Sequence, residues 1–221
     1  MMGITLHERI IENKDWVTLL FVFCLALIVV TKTAFENRFS DFINLIVSDK
    51  YIKIYKDSSN LMSWFTVVLF FVQIISLSFF IRYLLVFFGY VVNADWIVFI
   101  QIFTFLTFFI LSKFLIEKII ATSFNIEEFT EQFNMLKVNY RTYMGILLLP
   151  VSIILFYNPM PKPLVIYIIL DILLVINIVI YLKSIKIFQN LIIGKLFYFI
   201  LYLCALEIAP YYFMYYWFTR S

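Results

Sequence analysis

Six stretches of this chain are each apolar for about the length that crosses a bilayer, and that limits what the chain can fold into. A transmembrane helix needs roughly 20 predominantly apolar residues, and the run from Leu61 to Ile81 carries no charged side chain at all. In hydrocarbon every backbone N–H and C=O must be satisfied within the structure. Long apolar runs therefore mean helices, because a barrel would show short strands alternating apolar and polar residues. Composition agrees. The chain is 64% hydrophobic and 14% charged, where soluble domains run near half and roughly a quarter, and its mean hydropathy is +0.99. Such a chain cannot cover a water-facing surface, so lipid is its expected solvent. The expected fold is all-α: a polytopic membrane helix bundle of about six transmembrane helices, forming one integral membrane domain over residues 1–221.

The spans are read as follows. The first runs from Trp16 to about Thr33, opened by Asp15 as a cap, and the second from Leu61 to about Ile81. The third starts at Trp96 behind Asn93-Ala94-Asp95, with room to continue past Lys113. The fourth, Tyr143 to Tyr157, carries Pro150 at its centre, where a kink is expected. After the prolines at 159, 161 and 163 a fifth covers Leu164 to Leu182, and a sixth runs from Leu191 through Pro210 into an aromatic tail. The N-terminal region lacks a basic start and a small-residue cleavage site, so the first span reads as retained.

Two connecting segments are too long for turns. Phe39, Phe42, Ile43 and Ile46 recur at helical spacing opposite Ser40, Asp41 and Asn44. Between spans three and four, Ile126, Phe129, Phe133, Leu136 and Tyr140 form a stripe opposite Glu127, Glu131 and Asn134. Asn125 and Glu128 give that helix a capping-box start. Both read as amphipathic helices on the membrane surface or folded back on the bundle. Basic residues set the orientation. Twelve Lys and Arg, among them Arg38, Lys113, Lys137 and Arg141, fall in one set of loops, and five, including Arg82, in the other. The richer side, with both amphipathic segments, is expected in the cytoplasm and both termini in the periplasm. Trp16, Trp96 and Tyr157 fall at the outer ends, as an aromatic belt would. The repeated pattern Asn-Lys-Asp-Trp at 13–16 and Asn-Ala-Asp-Trp at 93–96 would follow from a duplicated two-helix unit. It follows equally from Asp capping a helix start and Trp favouring the interface.

Catalytic signatures are absent: no H-E-x-x-H, no G-x-x-x-x-G-K, no G-x-G-x-x-G and no G-x-S-x-G. With a single histidine, His7, and two cysteines, Cys24 and Cys204, inside apolar runs, neither a zinc site nor a cofactor is expected, and both cysteines read as small packing residues. A net charge of +3 spread along the chain gives no reason to expect nucleic-acid binding. What stands out is polarity at membrane depth, where an ionisable residue is a functional hypothesis by default. Asp171 lies in the fifth span and Glu207 in the sixth. At 1.5 Å per residue they lie about 12 Å below the outer end and about 24 Å above the inner end of their helices, levels that can coincide. Arg82 reaches that level from the second span, and Gln73, Gln101 and Asn177 would extend the network. The set reads either as an ion-linked or headgroup site, or as a buried ion pair fixing helix register, with Arg82 also able to snorkel to the interface.

Three segments, His7 to Trp16, Phe39 to Tyr55 and above all Phe197 to Pro210 with its Cys204-Ala205-Leu206-Glu207-Ile208-Ala209-Pro210 end, resemble a family of uncharacterised integral-membrane proteins of Bacteroidota, catalogued as a domain of unknown function. The resemblance implies the inner membrane of a Gram-negative bacterium. It brings no activity, substrate or catalytic residue. Four Gly and five Pro are about a third of the usual share, whereas transporters often break helices with these residues at their binding sites. The expected function is therefore a scaffold or accessory subunit of a cell-envelope complex, with membrane lipids and other envelope proteins or a second copy as partners. The alternative is a small transporter or lipid-handling protein that uses Asp171 and Glu207.

Overall fold

The computed structural model describes residues 15–46, 51, 54, 55, 63–91, 96–123, 127–158, 163–187, 212 and 216. Among these residues the fold is all-helical: α1 (Asp15–Ala34), α2 (Glu36–Ile43) with a 3₁₀ turn (Asn44–Ile46), α3 (Trp64–Phe87), α4 (Trp96–Ser123), α5 (Glu127–Tyr157) and α6 (Pro163–Ile187). Four helices are long and apolar enough to cross a membrane: α1, α3, α4 and the Asn134–Tyr157 part of α5. In α6 the apolar stretch is Pro163–Val179. Residues 1–14 with His7, and the expected sixth span with Cys204 and Glu207, lie outside the described residues.

The expected fourth span and the amphipathic segment before it are one helix. Its buried face runs Leu136, Tyr140, Met144 and Leu148 at four-residue intervals, so the amphipathic stripe folds back on the bundle and continues without a break into the span. Pro150 lies inside that helix. Neighbouring helices in a bundle make such a proline tolerable. Asn134, expected on the polar face, is buried, because that face turns toward α3 and α4.

The other amphipathic segment, α2, also folds back on the bundle. Phe39, Phe42 and Leu45 join Phe65 and Leu69 of α3 and Met135, Leu136 and Tyr140 of α5 in one apolar cluster. Ile43, expected in the stripe, is exposed, and Leu45 is buried in its place. The change of helix type at Asn44 accounts for the burial of Leu45: a 3₁₀ turn advances about 120° per residue rather than 100°, which rotates the side chains that follow Ile43.

Helix α3 is the centre of the bundle. Twelve of its residues are buried, against four each in α1 and α4, which present large apolar side chains such as Leu19, Val22, Phe108 and Ile119 outward. Outward apolar faces are what a lipid solvent permits. Val17, Phe21 and Cys24 of α1 meet Val72, Ile75 and Phe79 of α3, Phe99 of α4 and Leu149 of α5. Phe79 sits 4.4 Å from Phe99 and 4.5 Å from Phe21, centroid to centroid, within the range where ring pairs add to area burial. Phe80 of α3 and Leu148 and Leu155 of α5 take Ile169, Leu170 and Leu173 of α6.

Local signals fix both ends of α3. Ser63 caps its start, accepting from the backbone N–H of Thr66. At its end Gly89, with φ +76°, takes the left-handed turn that lets the Tyr90 N–H reach the Leu85 carbonyl at 3.0 Å and the Gly89 N–H reach Val86 at 3.1 Å. Ser63→Ala is expected to cost about 1 kcal/mol, read as a lower melting temperature of detergent-purified protein, with Ser63→Asp close to wild type because it restores the acceptor.

Candidate functional site

Beyond its middle, α4 turns Lys113, Glu117 and Ala121 inward at four-residue spacing. Opposite them, α5 carries Lys137 and Arg141 at the same spacing, with Asn134 and Val138 on the same side. The start of α3 adds Thr66, Val67 and Phe70. Together the three helices line a cavity of about 180 Å³ whose remaining wall is Ile110, Leu111 and Phe114.

The charges are deep for their kind. Glu117 and Asn134 are each 4% exposed and Lys113 is 8% exposed. Lys137 Nζ lies 3.1 Å from Glu117 Oε1, and Glu117 is the one carboxylate among the described residues of the lining. Lys113, Lys137 and Arg141 gather three cations along a wall that is otherwise largely apolar. Removing ions from water costs several kcal/mol each unless other charges and hydrogen bonds compensate, and a cluster of cationic donors of this kind can meet an anion.

Depth along the helices matches that chemistry. Lys113 and Glu117 lie about 26 Å and about 32 Å from Trp96 along α4, at 1.5 Å per residue. In a hydrocarbon core roughly 30 Å thick with Trp96 at one boundary, they would stand at the other. Ile110, about 21 Å along α4, and Phe70, about 9 Å into α3, lie within it. Val67 and Leu111 are also exposed, so the apolar wall is continuous with the apolar outer surface of the bundle.

Beside the cavity a second polar cluster ties α2 to α3 and α5. Arg38 donates to Ser63 Oγ at 2.9 Å, to Tyr51 Oη at 3.3 Å and to Thr66 Oγ1 at 3.4 Å, and Thr66 also lines the cavity. The guanidinium lies 4.6 Å from the Phe65 ring centroid and 5.0 Å from that of Tyr55, a cation–π arrangement. Tyr51 Oη donates in turn to Asn139 Oδ1 over a long 3.5 Å. Burial pushes the Tyr51 phenol above its ordinary value, and the charge and hydrogen bond of Arg38 pull it part of the way back.

The polar residues that stand out in the sequence lie elsewhere. Gln73 is buried on α3, where its Oε1 accepts from Thr142 Oγ1 at 3.0 Å. Arg82 is buried at the other end of the same helix, its guanidinium 5.2 Å from the Trp16 ring centroid and 5.8 Å from that of Phe156. Gln101 on α4 is exposed, as are Asp171 and Asn177 on α6, and the Asn177 amide donates to the carbonyl of Leu173 in its own helix. Gln73 and Arg82 are thus both buried along α3, half a turn apart around it, while the other three sit on exposed faces, and Glu207 lies outside the described residues. Among the described residues no group of three His, Cys, Asp or Glu side chains is placed to hold a metal ion.

In the sequence Lys137 and Arg141 stand out only as loop charges, Lys113 as a loop charge past which the third span has room to continue, and Glu117 not at all. A signal was present. Lys113 and Glu117 are four apart in a segment otherwise almost wholly apolar, a spacing that puts both on one face.

A family model described as a domain of unknown function, DUF4271, matches residues 17–218. No curated protein matches the chain, and no solved structure matches it.

Proposed function

We propose that this chain, which belongs to the DUF4271 family of domains of unknown function, is a multi-pass membrane protein that binds an anionic amphiphile in the cavity between α3, α4 and α5. The observation that carries the reading is the gathering of Lys113, Lys137 and Arg141 in a cavity whose apolar wall runs out onto the exposed apolar surface at Val67 and Leu111. An anionic headgroup meets Lys113, Lys137 and Arg141 while its hydrocarbon lies along Phe70, Ile110 and Phe114. Basic pockets between transmembrane helices on the cytoplasmic side are a known form of headgroup recognition. The excess of basic residues at this end of the bundle supports a cytoplasmic-leaflet ligand.

A scaffold or accessory role would use the amphipathic segments as docking surfaces. Their apolar residues Phe39, Phe42, Leu136 and Tyr140 are instead packed against one another and α3, which favours the ligand-binding reading. Native mass spectrometry of protein extracted in mild detergent from its own membrane separates the two. The expected result is one anionic lipid per protein, reduced at least about tenfold in Arg141→Gln, a loss of about 1.4 kcal/mol. A stoichiometric protein partner with no lipid, or full lipid retention in that variant, would overturn the reading.

A further inference from the structure

We infer that α4 is the seam of a parallel homodimer in which Gln101 and Thr104 of one copy hydrogen-bond their counterparts in a second. The inference goes beyond the amphiphile-binding reading and does not rest on it.

Of the four helices long and apolar enough to cross a membrane, α4 is the least buried. Its exposed residues Ile97, Gln101, Thr104 and Phe108 follow one another at intervals of four, three and four, which places them on one face. Two of them are polar. With Trp96 at one boundary of the hydrocarbon core, Gln101 stands about 7.5 Å and Thr104 about 12 Å inside it. Among the described residues neither has a hydrogen-bond partner. Thr107 shows the local alternative: its hydroxyl donates to the Phe103 carbonyl of its own helix at 2.7 Å and asks nothing of a neighbour. An amide or hydroxyl left unpaired in an apolar medium is costly, and Thr and Gln side chains in membranes hydrogen-bond across helices. Gln101 alone could lean back toward the Trp96 boundary. Thr104 cannot, because its hydroxyl sits on Cβ.

Symmetry names the occupant. Copies of one membrane protein insert the same way up, so a two-fold axis between them stands along the membrane normal and pairs α4 with itself, parallel and in register. Each residue then meets its own counterpart at its own depth. A primary amide is self-complementary, donating through Nε2 and accepting through Oε1, and a hydroxyl both donates and accepts. Two Gln101 side chains can therefore exchange hydrogen bonds, and so can two Thr104 hydroxyls, whereas a charged residue at either place would repel its copy. The interval of four, three and four is also that of a parallel left-handed helix pair, with Ile97 and Phe108 packing on either side of the polar pair. An unrelated partner would need matching polar groups at both depths; a second copy has them by construction.

The test is energy transfer between donor- and acceptor-labelled copies of the full-length protein, reconstituted together in phosphatidylcholine liposomes at falling protein-to-lipid ratios. The expected signal follows a monomer–dimer equilibrium. Gln101→Leu combined with Thr104→Val is expected to raise the dissociation constant at least about tenfold, with Gln101→Asn, which keeps an amide, falling between. Leu19→Ala, on the outward face of α1, is the control and is expected to leave the constant unchanged. The substituted side chains point outward, so packing within the monomer is left alone. A wild-type protein that stays monomeric at every ratio would overturn the inference, whether lipid or another part of the same chain covers α4. A dimer that survives the double variant unchanged would overturn it too, since its seam then lies on another face. The wild-type series keeps the inference falsifiable even if a variant fails to insert.

Discussion

Replacing Gly145 with alanine is expected to destabilise the bundle by about 2 kcal/mol net, against a usual overpacking cost of about 1–3 kcal/mol and occasionally more. A Cβ on Gly145 would stand 2.7 Å from Cα of Gln73, with Cγ and Cβ of Gln73 at 2.6 and 2.8 Å. Two of those atoms belong to a flexible side chain, but the third is backbone at the centre of α3, so relief requires the two helices to separate. In lipid that separation is costly, because helix association rests on close van der Waals packing and on small residues that let backbones approach. It would also strain the 3.0 Å hydrogen bond from Thr142 to Gln73. Alanine returns about 1 kcal/mol of helix propensity, which the clash outweighs. Melting in detergent, followed by loss of the monodisperse fraction, reads the effect. Gly145→Val is expected to melt lower still. Adding Gln73→Ala to Gly145→Ala is expected to restore little, since truncating the side chain leaves Cα where it is. An unchanged melting temperature would mean that α3 and α5 do not meet at this glycine.

That contact also shows how far the sequence can be read. Apolar run length finds the helices because lipid imposes it, and Trp16 and Trp96 lie in the first described turns of α1 and α4. Ends are harder. The second span, expected to close near Ile81, continues to Phe87. A charged residue ends an apolar run on paper, whereas Arg82 remains in the helix with its guanidinium over Trp16 and Phe156. The same error split α5, since its polar first half looks unlike a span until its buried face is followed from Leu136 to Leu148. Glycine scarcity was legible, but not that Gly145 marks the closest approach of two helices, because that depends on register across 72 positions of sequence.

The cavity was hidden for a related reason. A tally of loop charges sends every Lys and Arg to water. It cannot show that Lys113 and Glu117 on one helix face Lys137 and Arg141 on another, which only the packing of α4 against α5 reveals. Asp171, the charge most conspicuous in the sequence, lies on an exposed face of α6. Conspicuousness in a sequence measures contrast with chain neighbours. Function depends on neighbours in space.

Glu117→Leu probes that spatial arrangement most directly, and the expected loss is about 3–5 kcal/mol, the usual cost of removing one partner of a buried ion pair. Lys137 would lose the carboxylate at 3.1 Å, and three cations would share the cavity with no carboxylate among the described residues of its lining. The sign reverses when the cation goes too. Glu117→Leu combined with Lys137→Met is expected to recover most of the loss, since a well-packed apolar pair is often as stable as the ion pair it replaces. Non-additivity well above 0.5 kcal/mol in this cycle would be the signature of direct contact. An added anionic lipid is expected to raise the melting temperature of Glu117→Leu by more than that of the wild type, because its headgroup brings a negative charge where the variant has lost one and binding to the folded state stabilises it. Wild-type stability in Glu117→Leu would mean that the cations of the cavity do not sense one another, and the electrostatic basis for an anionic ligand would be lost with it.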